Sequence, residues 1–233
     1  MPTRRSLLGL AAFSSFASMP EGSSPAGEPV TLWPQAEPHP IWPGPAPGGE
    51  HFLAPAATGT EGGTPDPAFL RGVRVPAVHA FRPGHADGRA VLVIPGGAYS
   101  FVSIANEGLD VARRFTASGV TVLVLVYRLP GEGWTPRADV PLQDAQRALR
   151  WARFHERELG IDGARIGVLA HGMDDSAVPV QNSMMMMEAL RRASRPVEAH
   201  FFEHAENAFA LGSPSSPTGQ WPGQFLAWAG EQA

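Results

Sequence analysis

Residues 120–134, VTVLVLVYRLPGEGW, decide the fold. Val120–Tyr127 is an unbroken apolar run, rich in β-branched residues, with Gly119 before it and a Pro/Gly-rich turn after it, and it is the strongest strand signal in the chain. Helical patterns flank it. Upstream, Leu109, Val111, Ala112 and Phe115 recur at near-helical spacing, in a segment that Asn106 is expected to cap and Gly119 to end. Downstream, Asp139 and Pro141 open a longer helix in which Leu142, Ala145, Leu149 and Ala152 recur at steps of 3, 4 and 3, closing at Leu159-Gly160. Further out, Val78–Phe81 is a short strand candidate, and Ala90–Ile94 has the apolar run of a strand covered on both faces. Beyond the long helix come a strand at Arg165–Ala170, a helix from about Gln181 to Ala193, a strand at Val197–Phe202 and a closing helix around Trp221–Ala229. Strands alternating with helices predict an α/β fold, a mostly parallel sheet with helices on both faces. Ligands meet such sheets at the carboxyl ends of the strands, so the informative loops follow Ile94, Tyr127, Ala170 and Phe202.

A chain of 233 residues is long enough for one such domain. All 18 basic residues are arginines, they are outnumbered by 22 acids, and no basic stripe or block offers a docking surface for nucleic acid. Cysteine is absent, which excludes disulfides, thiolate metal sites and a cysteine nucleophile. Residues 1–18 pair Arg4-Arg5 with the apolar stretch Leu7–Phe13 and then small residues, the layout of an export signal of the twin-arginine kind. That apolar run is shorter than the ~20 residues a bilayer span needs. The expectation is an exported protein, periplasmic or extracellular, with no stable membrane span once the signal is removed. Residues 19–67 are dense in Pro and Gly and cannot hold a helix or a sheet interior. Trp33, Trp42 and Phe52 are costly to leave in water, so this stretch is read as an ordered arm laid over the body. The folded domain is placed at residues 68–233.

The loop after Ile94 reads Pro95-Gly96-Gly97-Ala98. Two glycines at a strand end let the backbone turn its N–H groups toward an open pocket, as an oxyanion hole requires, and Gly97 and Ala98 are the candidate donors. A tight strand-to-loop turn would use the same residues. Three acids and histidines in one turn, His171, Asp174 and Asp175, and the pair His200/His204 are not expected to hold a metal without further ligands and closed geometry.

The run from VLVIPGGAYS through EGLDVARRF, VLVYRLPGEGW and PLQDAQRALRWAR to GIDGARIGVL resembles the core of bacterial α/β-hydrolases related to acetylxylan esterases, some of them xylanase-associated. HGMDDSAVPV and FEHAENAFALG resemble the end of the same family. The resemblance implies an α/β-hydrolase-type sheet, a serine carboxylesterase ancestry, acetylated polysaccharide or a small ester as substrate, and no cofactor. In the family the strand RIGVL runs into G-x-S-x-G, the sharp elbow that presents the nucleophile. Here it runs into Ala170-His171-Gly172-Met173-Asp174-Asp175, and no serine in the chain has glycines two residues before and after it. HGMDDSAVP resembles the family's acid loop, a later element. The chain therefore reads as truncated in its second half by an internal deletion on the order of 60 residues, at ~30 residues per strand–helix–strand unit.

By the same resemblance Asp175 in D-x-x-V-P is the triad acid, and Asn207 stands where the family has its histidine. Asn cannot shuttle protons near neutral pH. His204, three residues upstream, is the nearest imidazole. Two other readings are an active hydrolase with an unorthodox nucleophile, Asp174 in Gly172-x-Asp174-x-Ser176, and a non-catalytic remnant binding carbohydrate through the arm with Tyr99, Trp134 and Trp221. Against Asp174, an elbow leads at once into a helix, whereas Val178-Pro179 follows here.

Overall fold

A computed structural model describes residues 36, 38–53, 68–170, 181–199 and 210–231. The chain divides into two compact units, Met1–Thr31 and Leu32–Ala233, and all described residues belong to the second. The strands are β1 (Pro38–Pro40), β2 (Phe69–Leu70), β3 (Ala77–Phe81), β4 (Ala90–Ile94), β5 (Val102–Ser103), β6 (Thr121–Val126) and β7 (Ile166–Ala170). The α-helices are α1 (Asp110–Thr116), α2 (Val140–Phe154), α3 (Glu156–Leu159), α4 (Gln181–Arg192) and α5 (Trp221–Glu231).

Five strands form one mixed sheet in the order β1-β3-β6-β4-β7. β6 sits at its centre because every one of its residues is buried, as the continuous apolar run requires. β4 pairs with β6 and β7 in parallel, with Val91 beside Val122 and Val93 beside Leu169. β3 runs antiparallel to both β6 and β1. The parallel half thus arises from the strand–helix alternation, and the antiparallel half from the arm and the strand that follows it. Val91, Leu92, Val93, Val122, Leu123, Val124, Val111 and Phe115 are fully buried in one continuous core. The crossover between β4 and β6 contains a π-helical turn, Ala105–Leu109, that runs directly into α1.

Three expectations are corrected. Asn106 caps no helix: Ile104 occupies that position, and Asn106 lies inside the π-helical turn, where its Oδ1 accepts the Ser103 hydroxyl at 2.7 Å. On α2 the fully buried line is Val140, Asp144, Ala148 and Ala152, while Leu142 is 54% exposed. The buried face contains an acid because Arg128 is waiting for it, as described below. Finally, of the strand expected at Val197–Phe202, Val197–Ala199 form no strand and residues 200–202 lie outside the described residues. Glu198 and Ala199 are exposed, and among the described residues no strand lies beyond β7 to pair with them.

Candidate active site

β4, β6 and β7 are parallel, so their carboxyl ends share one edge of the sheet. The loop after β7 falls in residues 171–180. Asp174 and Asp175 lie there, outside the described residues, as do His171, His200, His204 and Asn207. The structure brings together the other part of the site, the turn after β4.

That turn is tightly specified. Gly97 has φ 133°, and Ala98 and Tyr99 follow with φ 49° and 59°. Consecutive positive φ values at the two central residues are the signature of a type I′ turn, closed here by Ser100 N–H donating to the Gly97 carbonyl at 2.8 Å. Alanine and tyrosine adopt this backbone only at a cost, so the surroundings must impose it. They do so from three sides. Ser103 N–H donates to the Gly96 carbonyl at 2.9 Å, Tyr127 Oη donates to the Pro95 carbonyl at 2.9 Å, and Gly96 N–H donates to Glu107 Oε2. Gly97 is required sterically, and at Gly96 a side chain would have to push Glu107 aside. A Cβ on Gly97 would lie 2.1 Å from the Phe101 carbonyl oxygen, and one on Gly96 would lie 2.8 Å from Glu107 Oε2. The N–H groups of Gly97, Ala98 and Tyr99 are left without a hydrogen-bond partner among the described residues. The turn uses its carbonyls in these bonds, and the Gly97 and Ala98 N–H groups that the sequence offers as candidate oxyanion donors lie within it.

Glu107 is 3% exposed, and burial pushes its carboxyl above the ordinary range while the Gly96 N–H pulls it part of the way back. Burial also raises the Tyr127 phenol, helped by the charges of Tyr99 and Glu107. Neither Glu107 nor Tyr127 stands out in the sequence. The signal available was a Glu in the first turn of the helical segment that follows the strand-end loop after Ile94.

Beside the turn, the end of β6 carries a buried charge cluster. Arg128 and Asp144 are both fully buried. Arg128 Nε and Nη2 donate to Asp144 oxygens at 2.8–3.0 Å, and its backbone N–H donates to Asp144 Oδ2 at 2.9 Å. Arg128 Nη1 donates to the Pro47 carbonyl at 2.6 Å and Trp42 Nε1 donates to Asp144 Oδ1 at 2.8 Å, so the pair fastens the described part of the arm to the sheet. The guanidinium lies over the rings of Trp42 and Trp134 at 5.5 and 5.1 Å. YRLP and PLQDA thus hold the two halves of one ion pair in this chain. Between arm and sheet is a cavity of about 470 Å³ walled by Trp42, Phe52, Trp134, Glu50 and Arg74.

The three aromatic residues assigned to carbohydrate binding do not act as one surface. Tyr99 is 54% exposed, but Trp134 is buried and Trp221 is buried against Phe115 with its Nε1 donating to the Ala210 carbonyl. The rings of Trp134 and Trp221 fill core space, whereas Tyr99 stands in solvent.

A mixed sheet with a parallel half, helices alternating along the chain and a donor-bearing turn after the strand next to its centre define the α/β-hydrolase fold. Solved structures agree: an acetyl ester-xyloside bifunctional hydrolase from Caldicellulosiruptor lactoaceticus aligns with TM-score 0.58 over 86% of this chain and 98% of its own, at 20% identity. A sugar hydrolase from Lactococcus lactis (0.54; 70% and 97%; 17% identity) and a carboxylesterase from Lactobacillus plantarum (0.55; 70% and 96%; 15% identity) align in the same way. In sequence, the chain is similar to an acetylxylan esterase from Xylanibacter ruminicola, 29% identical over 89 residues, which are 38% of this chain and 18% of the esterase. The chain thus spans under a fifth of the length of that relative. No family model matches. The chain has an α/β-hydrolase-type fold and is similar over part of its length to an acetylxylan esterase.

Proposed function

We propose that this protein is an exported acetylxylan-esterase-like hydrolase scaffold that has kept the acyl-oxyanion turn and lost the nucleophile, so that it hydrolyses esters little or not at all. The observation that carries this reading is the content of the two strand ends. The turn after β4 holds the N–H groups of Gly97 and Ala98, which have no hydrogen-bond partner among the described residues, while β7 ends at Ala170 and the sequence continues His171-Gly172-Met173-Asp174-Asp175, with no serine where the resemblance puts the elbow. An oxyanion hole stabilises charge that develops only after a nucleophile has attacked, and alone it supplies only residual catalysis. Asn207 at the histidine position removes the base as well. The ligand class that fits the ancestry is an acetylated polysaccharide or small ester, without cofactor. Hydrolysis of 4-nitrophenyl acetate by the purified protein, measured against a protein blank of equal concentration, tests the proposal: equal rates support it, and saturable turnover with a burst of nitrophenol overturns it.

A further inference from the structure

A carboxylate buried without a cation is expensive, and a side chain that served packing alone would not need one. Glu107 is such a group. Among the described residues it has no arginine partner, and Gly96 N–H is the one donor it accepts. Tyr127, which directly follows β6, feels both Glu107 and Tyr99, but its hydroxyl is committed to the Pro95 carbonyl. Glu107 reaches Gly96 because the chain widens into the π-helical turn Ala105–Leu109, a local distortion found often at functional sites. The Ser103–Asn106 hydrogen bond fixes the start of that turn.

We propose that Glu107 is the positioning residue of the oxyanion turn: by holding the Gly96 N–H it fixes the direction of the next peptide groups, whose N–H atoms on Gly97 and Ala98 are the donors that face an acyl oxyanion. Ionised, Glu107 grips Gly96 through a charge-assisted hydrogen bond. Protonated, it becomes a weaker acceptor, and the strained backbone at Ala98 and Tyr99 loses one of its restraints. The donors of the turn therefore respond to the proton on a residue that touches no substrate. This inference rests on reading the turn as the family's oxyanion element. Its test uses no ester, so that positioning and esterase loss can fail separately.

The test is a pH titration of the full chain followed by amide ¹H–¹⁵N shifts of Gly96, Gly97 and Ala98, with the Glu107 side-chain ¹³C carboxyl shift recorded in parallel. The expected result is one shared inflection at all four nuclei, above the usual glutamate value of about 4.3. Glu107→Gln, which keeps an acceptor oxygen but cannot ionise, should abolish the inflection at all three amides. An inflection confined to Gly96, with Gly97 and Ala98 flat, would overturn the proposal, as would an inflection that persists in Glu107→Gln. Should the variant fail to fold, the wild-type coincidence of the carboxyl and amide inflections decides the matter.

Discussion

Removing the carboxylate of Asp144 is the perturbation for which the structure yields the clearest magnitude. Asp144→Ala leaves the guanidinium of Arg128, with side-chain exposure of 0%, in the core without a counter-ion. Losing one partner of a buried pair costs about 3–5 kcal/mol. The same change strips the acceptor from the Trp42 indole N–H and from the Arg128 backbone N–H. Each buried donor left unpaired adds about 1–3 kcal/mol, although terms within one network do not simply add. Against a domain stability of ~5–15 kcal/mol, a loss of about 3–5 kcal/mol is between roughly a fifth and all of the margin. At roughly 2–4 °C per kcal/mol for a domain of this size, Tm should fall by about 6–20 °C. Circular dichroism melts measure this, and tryptophan emission reports whether Trp42 and the arm residues beside it have left the sheet. Arg128→Met/Asp144→Leu should lose clearly less than the sum of its single changes, because the pair itself nearly breaks even against apolar residues. An Asp144→Ala protein melting within 2 °C of the parent, at the ~2–4 °C per kcal/mol of this size class, would refute the reasoning.

Gly97→Ala should lower the urea midpoint by the equivalent of about 1–3 kcal/mol, since its φ of 133° is strained for alanine and its Cβ would meet the Phe101 carbonyl; Gly44→Ala, with nothing within 4 Å, serves as the neutral control. Glu107 has its folded-state pKa raised, so its contribution to stability is complete below the unfolded value and is lost as pH rises through the folded value. Denaturation at a series of pH values should show that decline flattened in Glu107→Gln, and an unchanged slope would assign it elsewhere. Arg4→Lys/Arg5→Lys should trap the full-length chain in the cytoplasm if the twin-arginine route carries it, and unchanged periplasmic yield would remove that expectation.

The sheet was legible in the sequence where burial is apolar. Val120–Tyr127 and Ala90–Ile94 announce themselves because a strand covered on both faces has no choice but to be hydrophobic. Legibility failed where burial is polar. On α2 the apolar pattern selected Leu142 and passed over Asp144, since an acid at a core position reads as surface until its partner sixteen residues upstream is known to be Arg128. Glu107 escaped for the same reason: its partner is a backbone N–H, which carries no sequence signal at all. Of the strand expected at Val197–Phe202, Val197–Ala199 lie outside any strand, and residues 200–202 fall outside the described residues. Of the candidate site, the turn at Gly97 could be foreseen because positive φ and close approach leave a glycine signature, while the donor role given to Gly97 and Ala98 is an inference from that turn. Asp175, Asn207 and the alternative Asp174 lie outside the described residues and rest on the resemblance alone.

The central claim is that an intact oxyanion turn stands here without a nucleophile to serve it. A fluorophosphonate probe forms a covalent bond only with an activated hydroxyl, so intact-mass measurement after exposure of the purified, natively folded chain addresses the claim without depending on the choice of ester. The expected spectrum shows the unmodified mass alone, with a serine carboxylesterase labelled in the same tube as the positive control. One stoichiometric adduct, mapped to a single serine and abolished by heat denaturation before exposure, would contradict the account.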